Sequence, residues 1–270
     1  MKNLLGCVAL ATCFVAPAMA ADIPVKAAPV AVAAFSWTGC YIGGNAGINQ
    51  TRAHFNWGFG PGFPDTAAFI EGRRAGADAT LRSTGFTGGG GVGCNLFQTG
   101  SWVWGIEVDL QAHTGRHTRF QDLVPFGLPA GNNLTESFST RWLATARPRV
   151  GFTVTERVLV YGTGGVAFIN VNFHDHTNYP AAFNDGSSPR QTRFGWVAGA
   201  GIEYAFSSNW SGKIEYLHAD FGNTSFNTNA LTLAGAVVAN AVLTHNHRLS
   251  TDIVRVGLNY RFGSPIIARY

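Results

Sequence analysis

The feature that most constrains the fold of this chain is the order of its connections. Eight segments have β character, and the connections between them alternate strictly between short ones of three to five residues and long ones of 20 to 33 residues. In an up-and-down sheet, this order puts the short turns at one end and the long loops at the other, as in transmembrane barrels. An even strand number leaves both termini on the periplasmic side. The predicted strands are Trp37–Gln50, Thr84–Leu96, Trp102–Gln111, Arg141–Thr153, Val158–Val171, Thr192–Phe206, Trp210–Asp220 and Thr251–Phe262.

Several segments alternate with a period of two residues, which is typical of a strand with two unlike faces. In the last segment, apolar side chains from Val254 to Phe262 occupy one face, and Arg255 and Arg261 lie on the other. The alternation does not say which face points inward, because a soluble barrel buries its apolar face and a membrane barrel turns it toward lipid. In a soluble barrel, the charges would be solvated surface groups. The fifth segment is apolar on both faces, so its phase is not assigned.

Three observations favour a membrane barrel over a soluble barrel. The segments are long enough for a tilted span of about 9–11 residues, aromatic side chains gather at the strand ends, and the polar face carries charges of both signs that can pair across a narrow lumen. We therefore predict an all-β fold, an eight-stranded antiparallel up-and-down transmembrane β-barrel with short periplasmic turns and four long extracellular loops. The predicted aromatic girdle is Trp37, Trp102, Trp210, Tyr260 and Phe262, and the predicted lumen charges are Glu107, Asp109, Arg141, Arg147, Arg149, Arg193, Glu203, Lys213, Glu215, Arg255 and Arg261.

An eight-stranded barrel has an interior only wide enough for its own side chains, so we expect an anchor with a filled lumen and not a wide pore. The composition of 13% charged residues, 13% aromatic residues and 34 glycines argues against a disordered chain and against a helix bundle. The formal charge of +4 is too small and too scattered for a nucleic-acid binder. Beyond the N-terminus, no run of about 18 apolar residues could form a membrane-spanning helix.

The N-terminus has the features of a secretory signal. A positive charge at Lys2 precedes an apolar stretch, and small residues precede a cleavage site after Ala20. A plain apolar helix and a lipoprotein signal ending at Cys13 are the alternatives. The following segment is rich in Ala and Pro, as expected of an extended tether. The predicted organisation is a signal peptide at 1–20, a periplasmic tether at 21–34, the barrel at 35–262 and a C-terminal tail at 263–270.

Two cysteines remain after the signal is removed. Export takes the chain to an oxidising compartment, where disulfides persist. Cys40 lies near the start of the first strand and Cys94 near the end of the second. In an antiparallel pair both fall at the periplasmic end and on the lipid-facing side, so we predict a cross-strand disulfide between them. The alternative is that both are small apolar side chains.

Five stretches of the predicted strands resemble a large family of small outer-membrane β-barrel surface proteins of alpha-proteobacteria, usually described as outer-membrane immunogenic or porin-family proteins. The resemblance covers essentially all strands and short turns but not the long loops. The segment ADIPVKA after the signal is similar to the mature N-terminus of the family. The stretches are FSWTGCYIGGNAG (35–47), TGSWVWGIEVDLQ (99–111), RVLVYGTGGVAF (157–168), GWVAGAGIEYAFSSNWSGKIEYLHADFG (195–222) and IVRVGLNYRF (253–262).

The resemblance implies an eight-stranded barrel in the Gram-negative outer membrane, similar to the transmembrane domain of outer-membrane protein A. It implies a structural surface protein and antigen that contributes to envelope integrity and to interaction with lipopolysaccharide, host or surface ligands. Some members of the family are credited with adhesion or hemin binding, and the family brings no catalytic residues. We expect no cofactor. The implied partners are outer-membrane lipid, lipopolysaccharide and the barrel-assembly machinery, and we expect a monomer that binds no nucleic acid. The implied assembly signal in the last strand is Val254, Val256, Leu258, Tyr260 and Phe262.

Two features depart from the family pattern. Pro148 lies inside the fourth strand, where it removes a hydrogen-bond donor from the ladder, so we expect a β-bulge there. The chain also continues past Phe262, so the assembly signal is read internally or Tyr270 takes part in it.

Other functions stay open at this point. Seven basic and four acidic predicted lumen charges would make a narrow channel favour anions. A lipid-A-modifying enzyme would use His218, Asp220 and Ser225. Histidines in or beside the long loops have spacings that suit a metal or hemin, and a basic rim could meet lipopolysaccharide phosphates or be ordinary solubilising surface. These histidines are His113, His117, His174, His176, His245 and His247, and the rim is Arg73, Arg74, Arg116, His117 and Arg119.

Overall fold

The computed structural model describes residues 35–59, 79–122, 130–131, 133–179, 182–187, 190–232 and 237–262. The predicted signal peptide (1–20), tether (21–34) and tail (263–270) lie outside the described residues, as do Arg73 and Arg74. Within the described part of the chain, no helix is both long enough and apolar enough to span a membrane.

The described residues form nine antiparallel strands, eight of which close into a ring. The ring runs β1-β2-β3-β4-β5-β7-β8-β9, and β9 pairs back with β1. The short β6 pairs with β5 and β8 beyond the end of β7. Closure leaves the ring without a free edge, and the predicted eight-stranded barrel is confirmed. The strands are β1 Gly39–Phe59, β2 Ala79–Thr99, β3 Trp102–Asp122, β4 Asn133–Thr155, β5 Val158–Tyr179, β6 Ala182–Ser187, β7 Gln191–Ala205, β8 Trp210–Thr232 and β9 Val237–Arg261.

Most strands are longer than the sequence predicts. β8 and β9 have 23 and 25 residues, whereas a tilted membrane span needs about 9–11. Much of each segment predicted as a long loop is therefore strand, and the wall continues outside the membrane. The short turns lie at the predicted places, and Gly100, with a φ of +59°, takes the left-handed conformation in the turn between β2 and β3.

In the half of the wall next to the short turns, apolar side chains point outward and polar ones inward. On β3, Ile106 and Val108 are about half exposed, and Glu107 between them is buried. β5 takes the same phase, with Tyr161 inward and Val160 outward. We call this outward surface the apolar belt, and its outward placement is the one expected of the lipid-facing surface of a membrane barrel. Its members include Ile42, Ile48, Val92, Ile106, Val108, Leu110, Val160, Phe168, Phe194, Trp196, Ile202, Ile214, Val254, Val256 and Leu258.

Beyond the belt, the two faces exchange character. Along β1 the outward residues become polar at Gln50 and Arg52, and the inward residues become apolar at Ala53 and Phe55. We call this outer part of the wall the collar. Its outer face is polar, and its apolar side chains are buried on the inner face. They form a core that stabilises the collar, as in a soluble barrel. The prediction of long loops in this part of the chain did not include such a core, which contains Phe55, Leu81, Phe138, Leu143, Ile169, Val171, Phe173, Leu217, Phe221, Leu249 and Ile253.

A β-bulge on β4 reverses the phase of one predicted lumen charge. The register of β4 against β5 shifts between Thr140 and Leu143, and its register against β3 shifts at the same level. The inserted residue turns Arg141 outward, so its assignment to the lumen is wrong. The bulge predicted at Pro148 is also wrong, because the β3–β4 register runs unchanged through its pair with Ile106.

Candidate functional site: the charged lumen

Ionised side chains fill the lumen behind the apolar belt. Four carboxylates and four cations point inward from β3, β4, β7, β8 and β9, and each residue is at most 5% exposed. A lone charge in such surroundings is costly, so each requires a partner of opposite charge. We call this set the charge plug: Glu107, Asp109, Arg147, Arg149, Glu203, Lys213, Glu215 and Arg255.

Arg147 lies between carboxylates from two sides of the barrel. Its Nη2 atom donates to Asp109 Oδ2 at 2.7 Å and to Glu107 Oε1 at 3.0 Å, both on β3. Its Nη1 atom lies 3.3 Å from Glu215 Oε1 on β8. One guanidinium therefore joins strands that are not neighbours in the ring, which ties the wall together across the lumen.

Arg255 and Lys213 complete this side of the plug. Arg255 donates from Nε to Glu215 Oε2 at 2.7 Å and from Nη2 to Asp109 Oδ2 at 3.0 Å. The Lys213 ammonium donates to Glu107 Oε1 at 2.6 Å. Each of these three carboxylates therefore meets at least two cations, a charge-assisted arrangement that compensates for lost hydration.

Arg149 forms a second centre nearer the periplasmic end. Its Nη2 atom donates to Glu203 Oε2 at 2.7 Å and its Nη1 atom to the Tyr41 hydroxyl at 2.8 Å. The Tyr41 hydroxyl in turn donates to Glu107 Oε2 at 2.8 Å, which links the two centres. The guanidinium carbon also lies 4.1 Å from the centroid of the Tyr161 ring, a cation–π contact.

The cavity found beside the charge plug is small. The cavity beside it, lined by Tyr41, Glu107, Asp109 and Lys213 together with backbone of β1, measures ≈ 10 Å³. A single buried water needs about that much space. The described side chains therefore close the lumen at this level.

Two predicted lumen cations lie outside the plug. Arg193 lies toward the collar and donates to the His247 carbonyl oxygen at 3.2 Å, and Arg261 lies at the periplasmic mouth and donates to the Ser36 carbonyl oxygen at 2.9 Å. With Arg141 on the outer wall, the plug holds as many acids as bases. Within the plug acids and bases are therefore equal in number, and the excess of basic groups comes from Arg193 and Arg261 on either side of it.

Four of the five predicted girdle residues lie on the outer wall at the short-turn end. The Trp210 ring meets the Tyr260 ring edge to face at 5.0 Å, and Tyr260 meets Phe262 at 5.4 Å. Trp102 lies against Phe152 at 5.4 Å. Amphipathic aromatic rings at this height are typical of the membrane interface.

Trp37 differs from this prediction, because it is fully buried and not part of the girdle. It precedes β1, so the strand alternation used to assign its phase does not apply to it. Its indole N–H donates to the Glu156 carbonyl oxygen at 3.1 Å, and the Asn95 side-chain amide donates to the Trp37 carbonyl oxygen at 2.7 Å. The Arg261 guanidinium lies 5.0 Å from its ring, so Trp37 covers the periplasmic mouth of the lumen.

The structure contains a disulfide between Cys40 and Cys94. The two residues lie directly opposite each other on β1 and β2, near the periplasmic end of the wall. The bridge joins positions 54 residues apart in the chain.

The histidines considered for metal or hemin lie on both faces of the wall. His113, His245 and His247 are buried inside the collar, and His247 stacks on Phe173 with the ring centroids 4.7 Å apart. His174 lies on β5 with its side chain on the outer wall. Across the described ranges, no three His, Cys, Asp or Glu side chains are grouped closely enough to hold a metal ion.

The three residues considered for catalysis bind different partners. His218 Nδ1 lies 2.8 Å from Asp252 Oδ1. Asp220 accepts a hydrogen bond from Arg248 at 2.8 Å, and the Ser225 hydroxyl bonds Asn246. None of these hydrogen bonds joins two of the three residues, so the Ser-His-carboxylate relay considered for catalysis is not formed by them.

The polar but uncharged members of the network were not predicted. Tyr161 donates to Glu215 Oε1 at 3.0 Å, and Glu203 accepts hydrogen bonds from Ser211 at 2.6 Å and Asn259 at 3.0 Å. The signal was present in the sequence, since Asn259 and Ser211 share the inward phase of Arg255 and Lys213. Our prediction selected only charges and so missed them.

Comparison with known proteins agrees with this architecture. A family model described as the outer membrane protein β-barrel domain matches residues 7–262. The chain is 34% identical to the 31 kDa outer-membrane immunogenic protein of Brucella melitensis over 94% of this chain and 97% of that protein. It is 26% identical to the 25 kDa outer-membrane immunogenic protein of Brucella abortus over 93% of this chain and 92% of that protein. The crystal structure of the outer-membrane protein OprG of Pseudomonas aeruginosa aligns with a TM-score of 0.47 and 12% identity, over 84% of this chain and 97% of that one.

Proposed function

Because this chain belongs to the outer-membrane protein β-barrel domain family, we propose that it is a structural surface protein whose barrel is closed to ions and anchors the collar at the cell surface. The observation that carries this proposal is the charge plug. Its eight ionised groups are neutral as a set and nearly fill the lumen. The barrel is then an anchor, and the collar is the part that meets the surroundings.

The energetics of the plug support a permanently closed state. An ion path would require several buried ion pairs to separate at once. Leaving one partner of a buried pair without its counter-charge costs about 3–5 kcal/mol. Since Arg147 and Arg255 each bind carboxylates on two strands, no single side-chain movement opens a path.

Planar-bilayer recording of the purified barrel tests the proposal. We expect no stable openings from the wild-type protein. A charge-conserving quadruple substitution replaces Glu107, Asp109, Arg147 and Arg255 by Ala and removes the pairs that join β3, β4, β8 and β9 across the lumen. We expect it to produce small openings in protein whose heat-modifiable gel mobility shows a folded barrel. The matched control is Glu156→Ala with Arg157→Ala, which removes an exposed acid and base from the turn between β4 and β5 and should stay closed. Large, stable openings of the wild-type barrel would refute the closed anchor.

The proposed role includes envelope integrity, with membrane lipid, lipopolysaccharide and the barrel-assembly machinery as partners of a monomer. The long polar collar supports contact with the outer-leaflet headgroups. A deletion strain should become more sensitive to detergents and regain resistance when the wild-type gene is restored. Unchanged sensitivity would remove this part of the proposal without affecting the conductance result.

We further propose that the protein is not an enzyme. This is supported by the separate partners of His218, Asp220 and Ser225. Expression of the protein should leave the mass spectrum of lipid A unchanged, and a new lipid A species would contradict the proposal.

A further inference from the structure

A polar groove crosses the outer wall immediately beyond the apolar belt. It measures ≈ 730 Å³ and is bordered by β2, β3, β4 and β5. Three of its lining residues are the arginines Arg116, Arg141 and Arg190, and all three are exposed. None of the described lining residues is acidic. The groove is therefore a local excess of positive charge, unlike the neutral charge plug.

Interrupted strand pairing forms the groove. The β2–β3 ladder ends at the pair Thr87–His113, and hydroxyl groups replace backbone pairing beyond it. The Thr114 hydroxyl accepts from the Phe86 N–H at 2.8 Å and donates to the Phe86 carbonyl oxygen at 2.9 Å. A Cβ atom at Gly85 would overlap the Thr114 carbonyl oxygen, so only glycine permits this close approach.

The same irregularities place two of the arginines. The Ser83 hydroxyl accepts from the Arg116 N–H and donates to the Arg116 carbonyl oxygen, both at 3.0 Å, which fixes the backbone of Arg116. The β4 bulge turns Arg141 outward beside it. These two cations are therefore presented by the wall itself, and Arg190 directly precedes β7.

The surface on the membrane side of the groove is apolar. Leu110, Ala144, Phe168 and Phe194 form one row across β3, β4, β5 and β7. Leu110 is 61% exposed and Phe194 is 63% exposed, and the rings of Phe168 and Phe194 lie 5.4 Å apart. A molecule that fits both surfaces carries an anionic head above the row and hydrocarbon chains along it.

We propose that this groove, which we call the arginine groove, binds a phosphate on the headgroup of an outer-leaflet glycolipid such as lipid A. Arginine forks suit phosphate oxygens because they donate two parallel hydrogen bonds. The side-chain hydroxyls of Thr84 and Ser139 line the same groove and add neutral donors, whereas the Ser137 hydroxyl donates to the His174 carbonyl oxygen at 3.4 Å. The acyl chains lie along the row from Leu110 to Phe194. This site depends on the proposed exposure of the collar at the cell surface, but not on closure of the lumen.

The test is a binding titration in detergent micelles with bis-phosphorylated lipid A, followed by native mass spectrometry. The groove variant combines Arg116→Gln, Arg141→Gln and Arg190→Gln. The matched control combines Arg52→Gln, Arg82→Gln and Arg248→Gln, which removes three exposed or half-exposed arginines from β1, β2 and β9. We expect the groove variant to bind lipid A at least about tenfold more weakly than the wild type, since the groove provides the localised charge-assisted contacts. The control variant should change the affinity by less than about threefold.

Two further probes identify what is bound. Lipid A without its phosphates should bind wild-type protein about tenfold more weakly, and inorganic phosphate alone should not displace bis-phosphorylated lipid A at equal concentration. Unchanged binding by the groove variant, an equal loss in the control, or equal binding of the dephosphorylated lipid would overturn the proposal. Heat-modifiable gel mobility of every variant checks that the barrel is folded. Since conductance does not enter this experiment, its failure would leave the closed lumen standing.

Discussion

Arg149 shows how a single residue of the charge plug contributes to the barrel. It is 2% exposed and bonds both Glu203 and the Tyr41 hydroxyl. Replacing it with the similarly sized but neutral Met leaves Glu203 as a buried carboxylate without its cation. Breaking a buried pair in this way costs about 3–5 kcal/mol. We therefore expect Arg149→Met to lower the free energy of unfolding by that amount, measured by urea denaturation in lipid vesicles.

A double-mutant cycle separates charge pairing from lost packing. Glu203→Gln in the Arg149→Met background removes the stranded charge and should recover about half of the loss or more. The exposed Arg157→Met at the β4–β5 turn is the control and should change stability by less than about 0.5 kcal/mol. If Arg149→Met behaves like Arg157→Met, the plug does not stabilise the barrel.

At individual residues, sequence alternation succeeds wherever the strand is regular. Glu107 and Asp109 on β3, and Arg255 on β9, point into the lumen as their phase predicts. Arg141 and Trp37 do not follow the prediction for local reasons. A bulge inserts one residue beside Arg141, and Trp37 lies before the start of β1. Neither feature is visible in the alternation of polar and apolar residues, from which the inward or outward direction of each side chain is predicted.

At the scale of strands, the disulfide joins β1 and β2 near the periplasmic end. A cross-link between residues 54 apart restricts the unfolded chain and typically stabilises by about 2–4 kcal/mol. We expect Cys40→Ala with Cys94→Ala to lower the urea midpoint while the barrel still closes, because the β1–β2 ladder continues from Gly39 to Phe55. Reductant should destabilise the wild type and leave the variant unchanged. Equal thiol titration of the wild type before and after reduction would contradict the bridge.

The last strand carries the predicted assembly signal. Val254, Val256 and Leu258 are exposed on the outer face of β9, and Phe262 is exposed directly after it. Tyr260 lies half-buried beside Trp210. Since β9 pairs with β1 up to the pair Tyr41–Arg261, the described part of the barrel is closed without residues 263–270. We expect truncation after Phe262 to preserve insertion, measured as heat-modifiable protein in the outer membrane. Loss of insertion would assign the signal to the tail.

The strands were predicted more completely in the belt than in the collar. In the belt, lipid on one side and a charge plug on the other produce strong alternation, as on β3 from Trp102 to Gln111. In the collar, the outward residues are polar and the inward set mixes Phe55 and Phe138 with Thr51 and Thr140. This weaker contrast resembles loop composition, so the sequence alone predicted loops where the strands continue.

In the molecule as a whole, the outer surface of the barrel wall faces two different environments. Lipid faces the apolar belt, where charged side chains are paired in the lumen, and water faces the collar, where apolar side chains form the core. The chain satisfies both by exchanging the character of its two faces along continuous strands. The height of that exchange fixes how deeply the barrel lies in the membrane.

Site-directed spin labelling along β9 tests this central claim most directly. Single cysteines would replace Val256, Val254, Ser250 and Arg248, which lie on the outer face on both sides of the exchange, with the native disulfide left oxidised. In lipid vesicles, labels at 256 and 254 should be relaxed by oxygen dissolved in the membrane, and labels at 250 and 248 by a water-soluble nickel reagent. Strong relaxation by the nickel reagent at 256 would show water outside the belt and would contradict the account.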